Sequence, residues 1–228
     1  LIKLLNETLG RWSKPAGPAP AANIPPLPSP AAQKLVLVDK PDATQAYFAL
    51  GSPGFAQKDK IAVPATIMNT LWGGRFTSWL STELRIKRGL TYGASSSFQS
   101  WKNGGLFMAS SYTRNEKIGE MLDITFELLK KARSQGFSAE EIESAKNYII
   151  GQFPETLETN GSKASAYLRL VFYELGFDYF DHYLADIQGT RLEEVKKAAQ
   201  KLLPEKNYTL VIVGKASDIK KQLQKFGR

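Results

Sequence analysis

An α+β domain, an antiparallel sheet with helices packed on it, is what this 228-residue sequence predicts, and three features carry that expectation. Residues 93–101 and 106–112 alternate apolar and polar side chains around Asn103-Gly104-Gly105, the pattern of two paired strands joined by a tight turn. Several longer stretches, 115–135 above all, repeat their apolar residues at helical spacing. A 43% hydrophobic and 23% charged composition is that of a globular chain able to bury a substantial core.

The elements follow in order. Residues 1–14 carry apolar side chains at helical spacing and read as the last helix of a preceding unit. Residues 15–32 hold seven of the chain's twelve prolines and read as a stiff, extended linker. The domain proper is expected over 33–228. Lys34 to Val38 and Gln45 to Leu50 read as strands, closed by a turn through Gly51-Ser52-Pro53-Gly54. Two helices are expected over 59–71 and 77–88, divided by Gly73-Gly74. After the strand pair and the 115–135 helix, Ser138 and Glu141 form a capping-box opening, each able to satisfy the other's exposed backbone donor. That helix is expected to kink at Pro154. Helical spacing continues over 163–175, 179–187 and 192–203, the last opened by Thr190-Arg191-Leu192-Glu193. Tyr208 to Val213 is a β-branched strand, and a short basic helix closes the chain.

Composition removes several chemistries. Without cysteine there is no disulfide, no thiolate nucleophile and no thiolate-bound metal, and the redox compartment stays open. A zinc site without cysteine ordinarily needs at least two histidines and a carboxylate, and His182 is the sole histidine. It lies in the aromatic stretch Asp178 to Tyr183 and reads as a half-buried helix residue, with no G-x-S-x-G elbow to support a serine triad. No apolar run approaches the roughly 20 residues that span a bilayer. A net charge of +8 favours anionic partners in general, but the basic residues are dispersed and no aromatic platform is interleaved with the basic tail.

The stretch from Asn69 through Tyr92, NTLWGGRFTSWLSTELRIKRGLTY, holds the candidate site. Its second helix should stop at Gly89 in a left-handed cap, with Leu90 packing back and Tyr92 entering a strand. Arg85 lies about one turn before the stop, so its guanidinium and the Tyr92 phenol would flank one helix–strand junction. A planar five-donor cation beside a phenol suits a carbonyl, or the oxyanion formed when that carbonyl is attacked. The same spacing equally suits a surface Arg85 paired with a carboxylate and a half-buried strand tyrosine.

That stretch, N-x-L-x-G-G-R-F-x-S-x-L-x-x-E-L-R-x-K-R-G-L-x-Y, resembles the second, metal-free half of the pitrilysin-type zinc peptidases, among them insulysin, the mitochondrial processing peptidase and many bacterial relatives. The likeness extends to Glu158-Thr159-Asn160 and to the closing Tyr208–Gly214 strand, and the leading residues resemble the end of the preceding half. In that family two α+β halves close around a peptide. One half carries an H-x-x-E-H zinc site, and the other supplies an arginine and a tyrosine seven residues apart. The resemblance implies that Arg85 holds a substrate carbonyl and that Tyr92 donates to the oxyanion. It implies no metal on this chain, zinc in a homologous half upstream or in a partner chain, and a peptide substrate added to a sheet edge. Alone, the chain would hydrolyse nothing. Lys87 and Arg88 take surface or dipole roles. Trp79 departs from the charged residue common in relatives, a change expected to act on packing or chamber shape. Bacterial relatives are often in the cell envelope, and an isolated half would expose a face prone to self-association. Two other readings stand beside this one: a scaffold with the family fold and no proteolytic role, and a basic nucleic-acid-binding domain, which the absence of an RNA-binding aromatic signature or recognition helix disfavours.

Overall fold

A computed structural model describes residues 1–13, 16–17 and 32–227; most of the expected 15–32 linker lies outside the described residues. Among the described residues, five strands form one sheet in the order β1-β5-β2-β4-β3, comprising β1 (Lys34–Asp39), β2 (Gln45–Pro53), β3 (Ala94–Trp101), β4 (Gly104–Arg114) and β5 (Thr209–Gly214). β2, β4 and β3 pair antiparallel, as the alternation predicts, with Phe48 opposite Ser111 and Phe98 opposite Phe107. β5 inserts between β2 and β1 and runs parallel to β1, with Val36 opposite Val211. The expected antiparallel sheet therefore has one parallel pair, which no local pattern announces.

The hairpin turns one residue earlier than Asn103-Gly104-Gly105 suggests. Trp101 pairs with Gly104, leaving Lys102 and Asn103 as a two-residue loop. Gly104, at φ 157, and Gly105 begin the strand, and a Cβ on Gly105 would strike the backbone of Phe55 and Gln99. That close approach seats the loop after β2 against the hairpin.

One sheet face is dry. Phe48, Leu50, Phe107, Leu210 and Ile212 are fully buried beneath the helices, while the opposite face, with Tyr47, stays partly open. The covering layer is α2 (Ala62–Asn69), α4 (Ile118–Ser134), α5 (Ala139–Gln152), α8 (Leu192–Leu202) and α9 (Ala216–Leu223). Between α2 and α4 lies the short α3 (Trp79–Ser81). Two further helices, α6 (Asn160–Tyr173) and α7 (Tyr179–Gly189), pack toward the end of α5. α1 (Ile2–Thr8) buries no residue. The Ser138–Glu141 capping box forms with both bonds, at 3.1 and 2.8 Å. At Pro154 the chain does not kink and continue. α5 ends before it, and a 3₁₀ turn over Pro154–Leu157 leads to Thr159, which caps α6. α8 starts at Leu192 as expected, but its cap sits one residue later than Thr190–Glu193: Glu194 accepts from the Arg191 backbone N–H, and the Thr190 hydroxyl instead donates to Asp186 O at the end of α7.

The motif helices are not regular. α2 runs into a π-helical turn at Thr70–Gly74, and α3 into another at Thr82–Lys87. Close packing accompanies the first. A Cβ on Gly73 would stand 2.9 Å from Ser96 Cβ on β3, and Asn69 holds the same serine by bonds to its hydroxyl and carbonyl oxygens, at 2.7 and 3.1 Å. π turns of this kind concentrate at functional sites.

Candidate functional site

Arg85 lies inside the second π turn, three residues before the cap at Arg88. The helix ends as its sequence requires. Gly89 adopts φ 59, its N–H bonds Arg85 O at 3.1 Å, and the Leu90 N–H reaches back to Leu84 O at 2.9 Å. Leu90 then packs on the core, which fixes the direction in which the chain leaves the helix. Thr91 pins the next turn through hydrogen bonds between its hydroxyl and Gly93, donating to O at 3.0 Å and accepting from N at 3.1 Å. Between these anchors, Tyr92 is 81% exposed. It precedes β3 instead of lying in it, so it is not a half-buried strand tyrosine.

Arg85 is half-buried and, among the described residues, joins no ion pair. Its guanidinium lies 4.6 Å over the ring of Phe76, itself 60% exposed. A guanidinium stacked on an aromatic face keeps its edge donors available. The carboxylate nearest in sequence, Glu83, is used elsewhere, by Lys87 at 2.6 Å and Arg88 at 3.8 Å, which gives those two cations the surface role expected of them. The junction thus carries a cation lying over a ring and, seven residues on, an exposed phenol. Such an arrangement can offer hydrogen bonds to an oxygen that gains negative charge.

Phe76 is the site residue that sequence reasoning passes over. It stands nine residues from Arg85, a spacing with no helical neighbour relation, and only the break between the two π turns lets the residues meet. Arg75, beside it, turns the other way. Its Nη1 donates to Ser144 O and Oγ at 3.3 and 3.1 Å, tying the motif to α5. Trp79 is a packing residue as well. Its Nε1 donates to Glu141 Oε1 at 2.6 Å, and its ring lies 4.5 Å from that of Phe137 and under the Lys131 ammonium.

His182 corrects an expectation. It is exposed on α7, with Nε2 3.4 Å from Asp178 Oδ2, because Tyr179, Phe180, Tyr183 and Ile187 take the inward positions. Among the described residues no three His, Cys, Asp or Glu side chains group to hold a metal ion, and no helix is long and apolar enough to cross a membrane. The residues here do not fit a zinc site: one exposed histidine paired with one carboxylate falls short of the ligand set.

Known proteins share this architecture. A family described as "Peptidase M16 inactive domain" matches residues 1–149. An uncharacterized zinc protease of Bacillus subtilis, YmxG, is 22% identical over 183 residues, 80% of this chain and 44% of its own length. A probable inactive metalloprotease of the same organism, YmfF, is 26% identical over 76% of this chain and 40% of its own. A crystal structure of a peptidase M16 inactive domain from Pseudomonas fluorescens superposes with a TM-score of 0.78 at 27% identity, over 87% of this chain and 46% of that one. The chain spans less than half the length of these relatives.

Proposed function

The chain belongs to the peptidase M16 inactive-domain family, and on that footing we propose that it is the half which binds an extended peptide and completes a zinc site carried by a homologous half. The supporting observation is the junction geometry. Arg85, stacked on Phe76 and free of carboxylates among the described residues, and Tyr92, 81% exposed, flank one rigidly capped turn. A surface ion pair or a core tyrosine would have neither property.

In this reading residues 1–14 end the preceding half, 15–32 connect, and 33–228 form the peptide-binding half. The unburied α1 suits an element whose packing partner lies outside the domain. The peptide adds a strand to an edge of the sheet. On β3 the carbonyls of Ser96, Ser100 and Trp101 already accept from Asn69, Tyr173 and Gln57, which directs a new strand to the start of β3 beside Tyr92, or to β1. Arg85 then donates to the peptide carbonyl and holds it in position, and the Tyr92 phenol donates to the oxygen as it becomes anionic. Zinc in the other half would supply the activated water. An interaction scaffold with the same fold is the second reading, suggested by the relative named as a probable inactive metalloprotease.

Cleavage of a quenched-fluorescent peptide, by this chain mixed with an H-x-x-E-H-bearing half, separates the two. Activity should require both chains, and Tyr92→Phe should lower kcat about 10²–10³-fold, the scale of losing one oxyanion donor. Full activity in Tyr92→Phe, or none with the zinc-bearing half, would establish the scaffold.

A further inference from the structure

Away from the Arg85–Tyr92 junction, a cavity of about 660 Å³ opens between the sheet end, α2 and the α6–α7 pair. Its size is that of small-molecule sites, and so is its lining, apolar walls around a few convergent polar groups. On the sheet side Phe55 and Phe98 stand 5.1 Å apart, and on the helix side Phe153 lies 6.0 Å from Phe180 and 5.7 Å from Tyr183. Burial pushes the Tyr183 phenol up to about 12 and that of Tyr179 upward as well, so both remain neutral hydroxyls at physiological pH.

The polar groups converge on one spot. Gln57 is 93% buried, being 7% exposed, and its Oε1 accepts from Arg169 Nη2 at 2.8 Å and from Ser100 Oγ at 2.6 Å. With its oxygen doubly occupied, the amide nitrogen of Gln57 donates to no protein group among the described residues. Among the described residues Arg169 is the only charged one that lines the cavity. Among the described residues no aspartate or glutamate lines the cavity and Arg169 forms no ion pair. Arg169, exposed at the mouth of the aromatic chamber and 6.0 Å from the Tyr173 ring centroid, stands beside a buried amide with spare donors, a pairing whose chemistry suits a carboxylate. The adjoining cavity, lined by Lys58, Asp59, Lys60, Glu174, Asp186 and Glu194, has mixed charge and no such bias.

We propose that this cavity binds an organic carboxylate with a bulky apolar body, its carboxylate on Arg169 and the Gln57 amide and its body between the two aromatic walls. Two sources share this chemistry, a free amphiphilic acid and the C-terminal carboxylate of a peptide ending in aromatic residues. The proposal does not depend on the function assigned to Arg85 and Tyr92, neither of which lines the cavity.

Calorimetric titration of the full chain with decanoate, with N-acetyl-Phe-Phe and with the C-terminal amide of that dipeptide tests it. Binding of at least one carboxylate below about 1 mM is expected, with the amide at least about tenfold weaker than its acid. Arg169→Gln should weaken the acid about tenfold and leave the melting temperature unchanged, whereas Lys220→Gln, an equal change of net charge on α9, should do nothing. Decanoate binding alone identifies a free acid as ligand, and N-acetyl-Phe-Phe binding admits a peptide terminus. Equal binding of acid and amide, indifference to Arg169→Gln, or no binding by either carboxylate at about 1 mM would overturn the proposal.

Discussion

α4 and α6 are both amphipathic, with 17 and 14 residues, yet the molecule treats them differently. α4 lays Ile118, Met121, Leu122, Thr125 and Leu129 into the core, all essentially without exposure. α6 buries Leu170 alone, while Tyr167, Leu168, Val171 and Phe172 face outward at 51–69% exposure, joined by Phe177 at 71%. Both helices obey the same sequence periodicity. Periodicity reports that a helix has an apolar face, and only the tertiary structure tells whether this chain covers it. The sheet with α4 and α8 is a finished core. The α6–α7 region, which borders the Arg169 cavity, leaves several large apolar side chains exposed.

One substitution made in both regions measures the contrast most directly. Leu50→Ala, in the fully buried centre of β2, should cost about 2–5 kcal/mol, and Leu168→Ala, at 69% exposure, no more than about 0.5 kcal/mol by urea denaturation. A Leu168→Ala cost above about 2 kcal/mol that grows with protein concentration would break the comparison, since self-association would then be covering α6. Native-state hydrogen exchange should rank the helices the same way: amides of α4 exchange only through global unfolding, and those of α6 through cheaper local opening. Equal protection would make the two regions a single cooperative unit.

The smallest expected effect is a pH dependence at the end of α6. Glu174 caps that helix in the left-handed conformation, at φ 54, and bridges Lys102 at 3.0 Å and Lys58 at 3.1 Å. Hydrogen bonds from Lys102, then Lys58, hold its carboxyl below the ordinary 4.5. Because the folded carboxyl is the stronger acid, the stabilisation is fully present above pH 4.5 and disappears as pH falls through the depressed value. Opening of α6 should therefore increase only in that acid window, and Glu174→Gln should abolish the increase. Persistence of the pH dependence in the variant would assign it to another carboxylate.

Local signals account for much of the molecule. Alternation places β3 and β4, Ser138 and Glu141 announce their helix start, and Gly89 announces the stop beside Arg85, since each rests on interactions within a few residues. The features that escape depend on distant partners. Nothing near Lys34 names β5 as its neighbour. The π turn at Thr70–Gly74 accompanies packing on Ser96, and His182 is turned outward by aromatic neighbours that compete for the inward face. At the junction the positions of Arg85 and Tyr92 are legible from the cap, but the ring under Arg85 is not, because Phe76 arrives from the non-helical segment between two irregular turns.

The parallel pairing of β1 with β5 has a consequence for the order of assembly. β1 is among the first parts of the domain to leave the ribosome, β5 among the last, and β5 lies between β1 and β2. Until Thr209–Gly214 is synthesised, β1 has no strand to join and β2 presents an unpaired apolar edge through Phe48 and Leu50. A nascent chain ending before Tyr208 would already contain Arg85, Tyr92 and every lining residue of the Arg169 cavity, yet its sheet would stand open in the middle. The last strand latches the first, so the strands made early are held in place only once Thr209–Gly214 has been added.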